Sequence, residues 1–341
     1  MLSPSFIYDL ETNMRIISNQ NYQRLLQETW WPRVAKVLAT KTRKERVHWL
    51  LDTAKITEQD DGEARFEDLV MQTYEVEHKF AGTALQVNRT EFEDLDANGV
   101  DQASAWARQV SMQAAYWPQK ILAKAILANP VTYDSLAFFH GAHPVNPFDA
   151  DAGTYANDFT GSASGTYPGA LPIGAGTSTA DAITNLYKAR TYIGNLKCAN
   201  GEDPRNLQVN AIIAPRALEE RVTEITSAEL VVRDAPNGTG GGAANAAAMI
   251  RKLGLGEPII APELGAEFGG SDTTYYLLCS EITSDDLGAW AYLDREPFQV
   301  RYYGLLDDAQ LGRMNQLQWH MTGRNAIAPG HPFMMFRCQA T

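Results

Sequence analysis

Between positions 98 and 147 the alternation of apolar and polar residues changes character once, dividing a long helix from a compact loop. Trp106, Val110, Ala114, Trp117, Ile121 and Ala125 recur at steps of three or four and so share one helical face. The Ala, Gln, Lys and Met residues among them are strong helix formers. Asn98 or Asp101 suits the N-cap, and Asn129-Pro130 stops the helix, because the residue before a proline is driven out of helical space. The spacing predicts a helix over residues 99–129, about 45 Å long at about 1.5 Å per residue and longer than an ordinary globular helix. Pro118 removes one donor within it, which implies either a bend or the start of a second helix. Residues 133–147 follow as a loop of aromatics, histidines and prolines, too apolar for idle linker.

The flanking patterns are shorter. His48-Trp49-Leu50-Leu51 and residues 70–77 read as two strands, the second from its alternation of Val70, Gln72, Tyr74 and Val76 with Met71, Thr73, Glu75 and Glu77. Between them Glu58, Asp60, Asp61, Glu63, Glu67 and Asp68 surround an Asp61-Gly62 turn signal, making a hairpin with an acidic tip. Two strands alone are marginally stable, so this hairpin must rest on something else. Another strand is expected over residues 80–87. Residues 149–179 are rich in Gly, Ser, Thr, Ala and Asp and read as a long irregular surface insertion. A helix over 180–193, a buried strand over 207–214, a helix over 216–226, an Ala-rich helix over 243–253 and a strand over 257–261 suggest an α/β layer. Strands over 273–279, 289–293, 298–303, 316–322 and 332–338 form a sheet with one wet face that covers the long helix.

Residues 1–46 lack strong periodicity and become basic after Trp30-Trp31-Pro32, at Arg33, Lys36, Lys41, Arg43, Lys44 and Arg46. Two readings stand: a solvated helical face, or an extended arm docking on an acidic neighbouring surface.

Composition narrows the classes. With 341 residues and 45% hydrophobic content, the chain fills one large or two medium domains. A formal charge of −12 argues against a nucleic-acid binder, which needs clustered Lys and Arg, yet suits a protein that encloses nucleic acid without adhering to it. No apolar run approaches a membrane span and no signal pattern opens the chain, so the expected compartment is a cytoplasm. Cys198, Cys279 and Cys338 lack ligand spacing and read as buried thiols.

Candidate chemistry is thin. The acidic hairpin does not follow the EF-hand order, and the glycine run 238–242 lacks the Lys-Ser/Thr of a phosphate loop. His140 and His143, with Asp134, Asp149 and Asp151, invite a zinc reading, but the His-Glu-x-x-His helix pattern is absent and no orienting partner is evident. Loop histidines engaged in packing are the favoured reading. No catalytic, cofactor-binding or metal residues are assigned.

The sequence Tyr133-Asp134-Ser135-Leu136-Ala137-Phe138-Phe139-His140-Gly141-Ala142-His143-Pro144-Val145 resembles the Tyr-Asp-Gly-x-x-Phe-Phe-x-x-x-His-Pro signature of the Mu-like prophage major head subunit family. Pro4-Ser5, Trp30-Trp31, residues 73–93 and Gly323-Arg324-Asn325 are similar to further parts of that family, while Ser135 stands where the family has glycine. The resemblance implies an α+β chain of the Hong Kong 97-type capsid fold. Its parts would be an N-terminal arm (1–49), an extended hairpin or E-loop (50–79) and a peripheral domain (80–148) with spine helix 99–129. The irregular insertion (149–179), an α/β axial domain (180–285) and a return to the peripheral sheet (286–341) would follow.

The same resemblance implies a major capsid protein of a tailed bacteriophage or prophage, a structural component and not an enzyme, without cofactors. It would self-assemble as hexamers and pentamers into an icosahedral virion shell around double-stranded DNA, made in the bacterial host cytoplasm. Partners would be copies of itself, with scaffold, portal and decoration proteins. Arg33, Lys36, Arg43, Lys44 and Arg46 would meet Glu58, Asp60, Asp61 and Glu63 of neighbours across subunit contacts. The alternatives are an encapsulin-like compartment of the same fold and a cytosolic metallohydrolase using His140, His143 and Asp149.

Overall fold

A helix that no apolar stripe announces opens the chain: α1 spans Pro4–Leu26. The computed structural model describes residues 4–50, 52, 71–88, 90–91, 94, 97–163, 167–227, 230–233, 242–245, 253–279, 288–303 and 316–340. Leu10, Met14 and Ser18 of α1 are buried at steps of four, and Leu25 follows. A 3-10 turn (Trp31–Arg33) leads into strand β1 (Ala35–Ala39) and then β2 (Lys44–Leu50). The stretch read as a solvated helical face or an extended arm has regular structure of its own. Residues 4–49 form a packed helix, a turn and two strands, and Trp30, Trp31, Val34 and Ala35 belong to the main core.

Strand β3 (Met71–Glu77) pairs antiparallel with β2, from Lys44 opposite Glu77 to Leu50 opposite Met71. These are the two sides of the expected hairpin. Its acidic tip, with Glu58, Asp60, Asp61 and Glu63, lies outside the described residues. The hairpin does rest on something else: Val47 and Trp49 are buried against Ala291, Leu293, Ala326 and Ala328. Burying a side chain of this size contributes about 1.5–3 kcal/mol.

After β4 (Lys79–Asn88), the long helix α2 runs unbroken over Ala97–Ala128 with Pro118 inside it. Its predicted face is half right. Val110 and Ala114 are buried, but so are Ala103, Ala107, Ala115, Leu122, Ala123 and Ile126. The helix is covered on more than one side. Ala103 and Ala107 meet Leu10 and Met14 of α1, and such small side chains let two helix backbones approach. Val110 and Ala114 meet Val300 and Met321 of the sheet. Leu122, Ala123 and Ile126 enter the main core.

The expected surface insertion is corrected. Strand β5 (His143–Asn146) precedes it, β6 (Asp149–Tyr155) and β7 (Asp158–Phe159) occupy its first part, and Phe159, Leu171 and Ile173 are fully buried. Helix α3 (Thr179–Gly194) is capped by Ser178, whose Oγ accepts from the Asp181 N–H. Strand β8 (Ala211–Ala214) is buried at every position, and α4 (Glu219–Ser227) follows a 3-10 turn at Arg216–Leu218. Where an Ala-rich helix was expected, β9 (Leu230–Arg233) and β10 (Gly242–Asn245) pair as antiparallel strands, and residues 246–252 lie outside the described set.

Strands β11 (Ile259–Ile260), β12 (Thr274–Leu278), β13 (Trp290–Tyr303), β14 (Gln316–Pro329) and β15 (Met335–Gln339) complete two main sheets. The four-stranded sheet, labelled peripheral, has the order β1-β13-β14-β4, and the five-stranded sheet, labelled axial, the order β11-β8-β12-β15-β7. The last strand was expected in the peripheral sheet. Instead β15 pairs with β12 and β7, so the chain ends in the axial layer, with Ile173 and Gly174 donating to the Ala340 carbonyl. On the peripheral sheet, Gly323 lies under the Phe298 ring, where an added Cβ would meet a ring carbon at 3.0 Å. A larger residue there would lift Phe298 off the strand.

Candidate functional site

The apolar loop after α2 is where four parts of the fold meet. Asn129 ends the helix with φ 47°, and its side chain both accepts from the Phe139 N–H at 2.7 Å and donates to the Phe139 carbonyl at 3.2 Å. That closes the loop on itself. Phe138 then stacks on Trp290 of the peripheral sheet, centroids 4.5 Å apart. Phe139 packs on Tyr276 of the axial sheet at 5.4 Å, and Tyr133 on Trp49 of the hairpin at 5.5 Å. Spine helix, both sheets and hairpin thus share one set of rings, each contact adding about 0.5–1.5 kcal/mol beyond area burial.

A buried polar core fixes the loop. Asp134 Oδ1 accepts from Thr132 Oγ1 at 2.6 Å and from the Leu136 N–H at 3.1 Å, an Asx turn that places Ser135 in left-handed space at φ 64°. Asp134 Oδ2 lies 2.5 Å from His143 Nδ1, and His143 Nε2 faces the Phe138 carbonyl at 3.1 Å. Since a carbonyl only accepts, Nε2 is the donor to Phe138, and a second hydrogen bond joins Nδ1 to the Asp134 carboxyl. Burial pushes the Asp134 carboxyl up, but the bonds from His143 and Thr132, the His143 charge and the Leu136 N–H together hold it below its ordinary value. Asn157, with no exposure, donates to the Phe138, Pro332 and Met335 carbonyls and accepts from the His140 N–H at 2.8 Å.

This geometry does not support the metallohydrolase reading. Both His143 nitrogens face oxygen acceptors within the protein, and His140 Nδ1 accepts from the Ala142 N–H at 3.1 Å. Asp149 Oδ1 accepts from the Asp151 N–H in a hairpin turn. Among the described residues no group of three His, Cys, Asp or Glu is placed to hold a metal ion. Sequence reasoning found no orienting partner for either histidine. Asp134 is that partner for His143, and its place nine residues earlier in the same loop was the available signal.

A second polar cluster holds the hairpin root. Asp52 Oδ1 accepts from Arg205 Nη2 at 2.8 Å and from the Ala199 N–H at 3.0 Å, while the Arg205 guanidinium lies 3.7 Å from the Phe333 ring centroid. The Arg205 side chain is 4% exposed, so Asp52 answers a nearly buried charge. Burial, reinforced by the charge of Asp52, pushes the neighbouring Cys198 thiol up to about 11 and keeps it protonated. Cys279 and Cys338 are buried, and all three cysteines are free thiols. None of Asp52, Arg205 or Phe333 was singled out from sequence.

Of the basic residues expected to reach a neighbour, Arg33, Arg43 and Lys44 have partners within the chain. Arg43 Nη2 is 2.7 Å from Glu77 Oε1 and Lys44 Nζ is 2.7 Å from Glu75 Oε1, both across the β2–β3 pair. Arg33 donates to the Glu257 carbonyl at 2.7 Å. Lys36 lies on β1, the strand parallel to β13, and Arg46 is opposite Glu75 and exposed. The hydrogen bond from Lys44 is the main reason the Glu75 carboxyl sits below its ordinary value.

Residues 10–168 match the family model of the Mu-like prophage major head subunit gpT. No curated protein matches the sequence. Among solved structures, the chain is similar to the capsid of Cyanophage P-SCSP1u, with 10% identity, 92% of this chain and 88% of that chain covered and a TM-score of 0.53. It is also similar to the mature capsid of bacteriophage PhiM1, with 8% identity, coverage of 91% and 86% and a TM-score of 0.51. The bacteriophage JBD30 capsid matches at 13% identity and a TM-score of 0.45, over 91% of this chain. This chain spans 64% of that capsid chain.

Proposed function

We propose that this chain, a Mu-like major head subunit by its match over residues 10–168 and a subunit of the Hong Kong 97-type capsid fold by its architecture, is the major capsid protein of a tailed phage or prophage. The match over residues 10–168 carries the reading, since it covers most of α1, the hairpin strands, the spine helix and the loop with Asp134 and His143. The chain is a structural part of a virion, and its work is to associate with itself. Hexamers and pentamers of it build an icosahedral shell around double-stranded DNA.

The physical design supports this reading. The long helix is gripped by α1, the peripheral sheet and the main core, which stiffens the subunit along the helix axis. The hairpin stands on the peripheral sheet through Val47 and Trp49 and is tied at its root by Asp52 and Arg205. It reaches a neighbouring subunit with its acidic tip, Glu58, Asp60, Asp61 and Glu63, while Arg33, Lys36, Arg43, Lys44 and Arg46 face neighbours from the base. The in-chain pairs of Arg43 and Lys44 are exposed, and such pairs are worth about 0–1 kcal/mol each, so they yield readily to contacts repeated around a shell. A net charge of −12 keeps the shell from adhering to the DNA it holds. Assembly takes place in the host cytoplasm, with scaffold, portal and decoration proteins as further partners.

Negative-stain microscopy of the expressed full chain tests the reading. Closed shells or capsomer rings are the expected result, and a preparation made only of monomers would overturn it.

A further inference from the structure

Two places on the described surface expose large aromatic or sulfur-containing side chains that their own subunit does not cover. The first is a groove of about 1030 Å³ between α2, the start of β4 and the 3-10 turns at residues 262–268, with Phe80, Met112, Phe268 and Phe298 in its walls. Phe80 is 65% exposed, Phe268 61% and Met112 37%. The second is the tip of the β5–β6 hairpin, where Phe148 is 61% exposed. Monomeric proteins scatter single apolar residues on their surface, but this groove gathers three exposed ones, Phe80, Met112 and Phe268, in one place.

The turn that carries Phe148 is held by hydrogen bonds. The Phe148 N–H donates to Asn146 Oδ1 at 3.0 Å, Asn146 Nδ2 donates to the Ala199 carbonyl at 3.0 Å, and the Asp151 N–H donates to Asp149 Oδ1 at 2.9 Å. A turn held in this way has little backbone freedom left to lose on docking. The tip is also acidic, with Asp149 and Asp151 exposed beside the ring. The groove offers exposed Lys120 in its wall and exposed Lys79 next to Phe80. Its own Glu263 is engaged from both sides, by Trp30 Nε1 at 3.2 Å and Gln119 Nε2 at 2.7 Å, which leaves Glu267 as the exposed acid near Phe268.

We propose that Phe148 of one copy seats in the α2 groove of a second copy, with Asp149 and Asp151 against Lys120 and Lys79. Knob and groove are different surfaces of one chain, so the contact is head-to-tail and repeats around a ring or along a lattice. It rests on the shell reading above, and it names a contact separate from the hairpin and the basic residues.

The test uses shells of the full chain carrying Phe148→Cys with Met112→Cys, exposed to a mild oxidant and run on a non-reducing gel. A ladder of disulfide-linked oligomers is expected from the double variant, and none from either single variant. Phe148→Asp is expected to lower shell yield at least tenfold while its melting temperature as an unassembled chain stays at the wild-type value, since the ring is exposed. Wild-type shells with no ladder from the double variant, or undiminished shell yield from Phe148→Asp, would overturn this contact alone. Absence of shells from the wild-type chain would overturn both this contact and the capsid reading.

Discussion

Asp134 and His143 form a closed pair, 2.5 Å apart with side-chain exposures of 1% and 0%, at the point where spine helix, hairpin and both sheets converge. Removing one partner of such a pair leaves a buried polar group unanswered, at about 3–5 kcal/mol. Asp134→Ala is therefore expected to lower unfolding stability by that order and to loosen all four parts together. Urea unfolding measures it. A cost below about 1 kcal/mol, the range of an exposed ion pair, would contradict the role given to the pair.

The same pair sets an acid limit. The folded Asp134 carboxyl is held below its ordinary value of 3.8, so the stability it contributes is present above that value and is lost as pH falls through the folded one. Wild-type unfolding stability should drop on acidification below about pH 4, with Asp134→Asn showing a shallower drop in that window. Equal slopes for the two proteins would remove Asp134 as a source of acid sensitivity.

Ser135 occupies left-handed space at φ 64°, a conformation that costs a side-chain-bearing residue about 1–2 kcal/mol. The Asx turn from Asp134 enforces it. Ser135→Gly is expected to keep or raise stability by up to about 1 kcal/mol, and Ser135→Val to lower it, because a β-branched side chain suits this region least. The reverse order in thermal unfolding would show that the turn is not the controlling feature.

How much of this was legible beforehand depended on which residues did the packing. The spine helix was visible because its apolar residues recur over many turns. Helix α1 was not, because its seam with the spine includes Ser18 and Asn21, the latter bonded to Ser111 Oγ at 3.1 Å and to the Arg108 carbonyl at 3.1 Å. Polar residues in a seam erase the apolar stripe. Residues 149–179 misled through their glycine and serine content, although Tyr155, Phe159, Leu171 and Ile173 anchor them in the core. Strand β10 misled through alanine, a helix former whose preference the pairing with β9 overrides. The loop motif was legible as a string, but its meaning lay in contacts to Trp49, Tyr276 and Trp290, distant in sequence.

At the hairpin root, Asp52 accepts from a nearly buried Arg205. Asp52→Ala is expected to cost about 1–2 kcal/mol, discounted because Asp52 itself is 41% exposed, and to speed proteolysis between residues 50 and 71. Limited trypsin digestion reads it out. Unchanged cleavage would mean that Trp49 alone holds the root.

Reversing Asp60 and Asp61 to Lys is expected to leave the fold intact and to impair assembly, because the acidic tip is proposed to meet the basic residues of neighbours. Melting temperature and particle yield, measured on one preparation, separate the two effects. Normal particles from this variant would contradict the hairpin contact.

Sedimentation velocity of the purified full chain, under conditions where it stays folded, bears most directly on the central claim. A capsid protein is expected to sediment as megadalton shells in equilibrium with rings of five or six copies. A single boundary at the mass of one or two chains, at every concentration and salt tested, would contradict it.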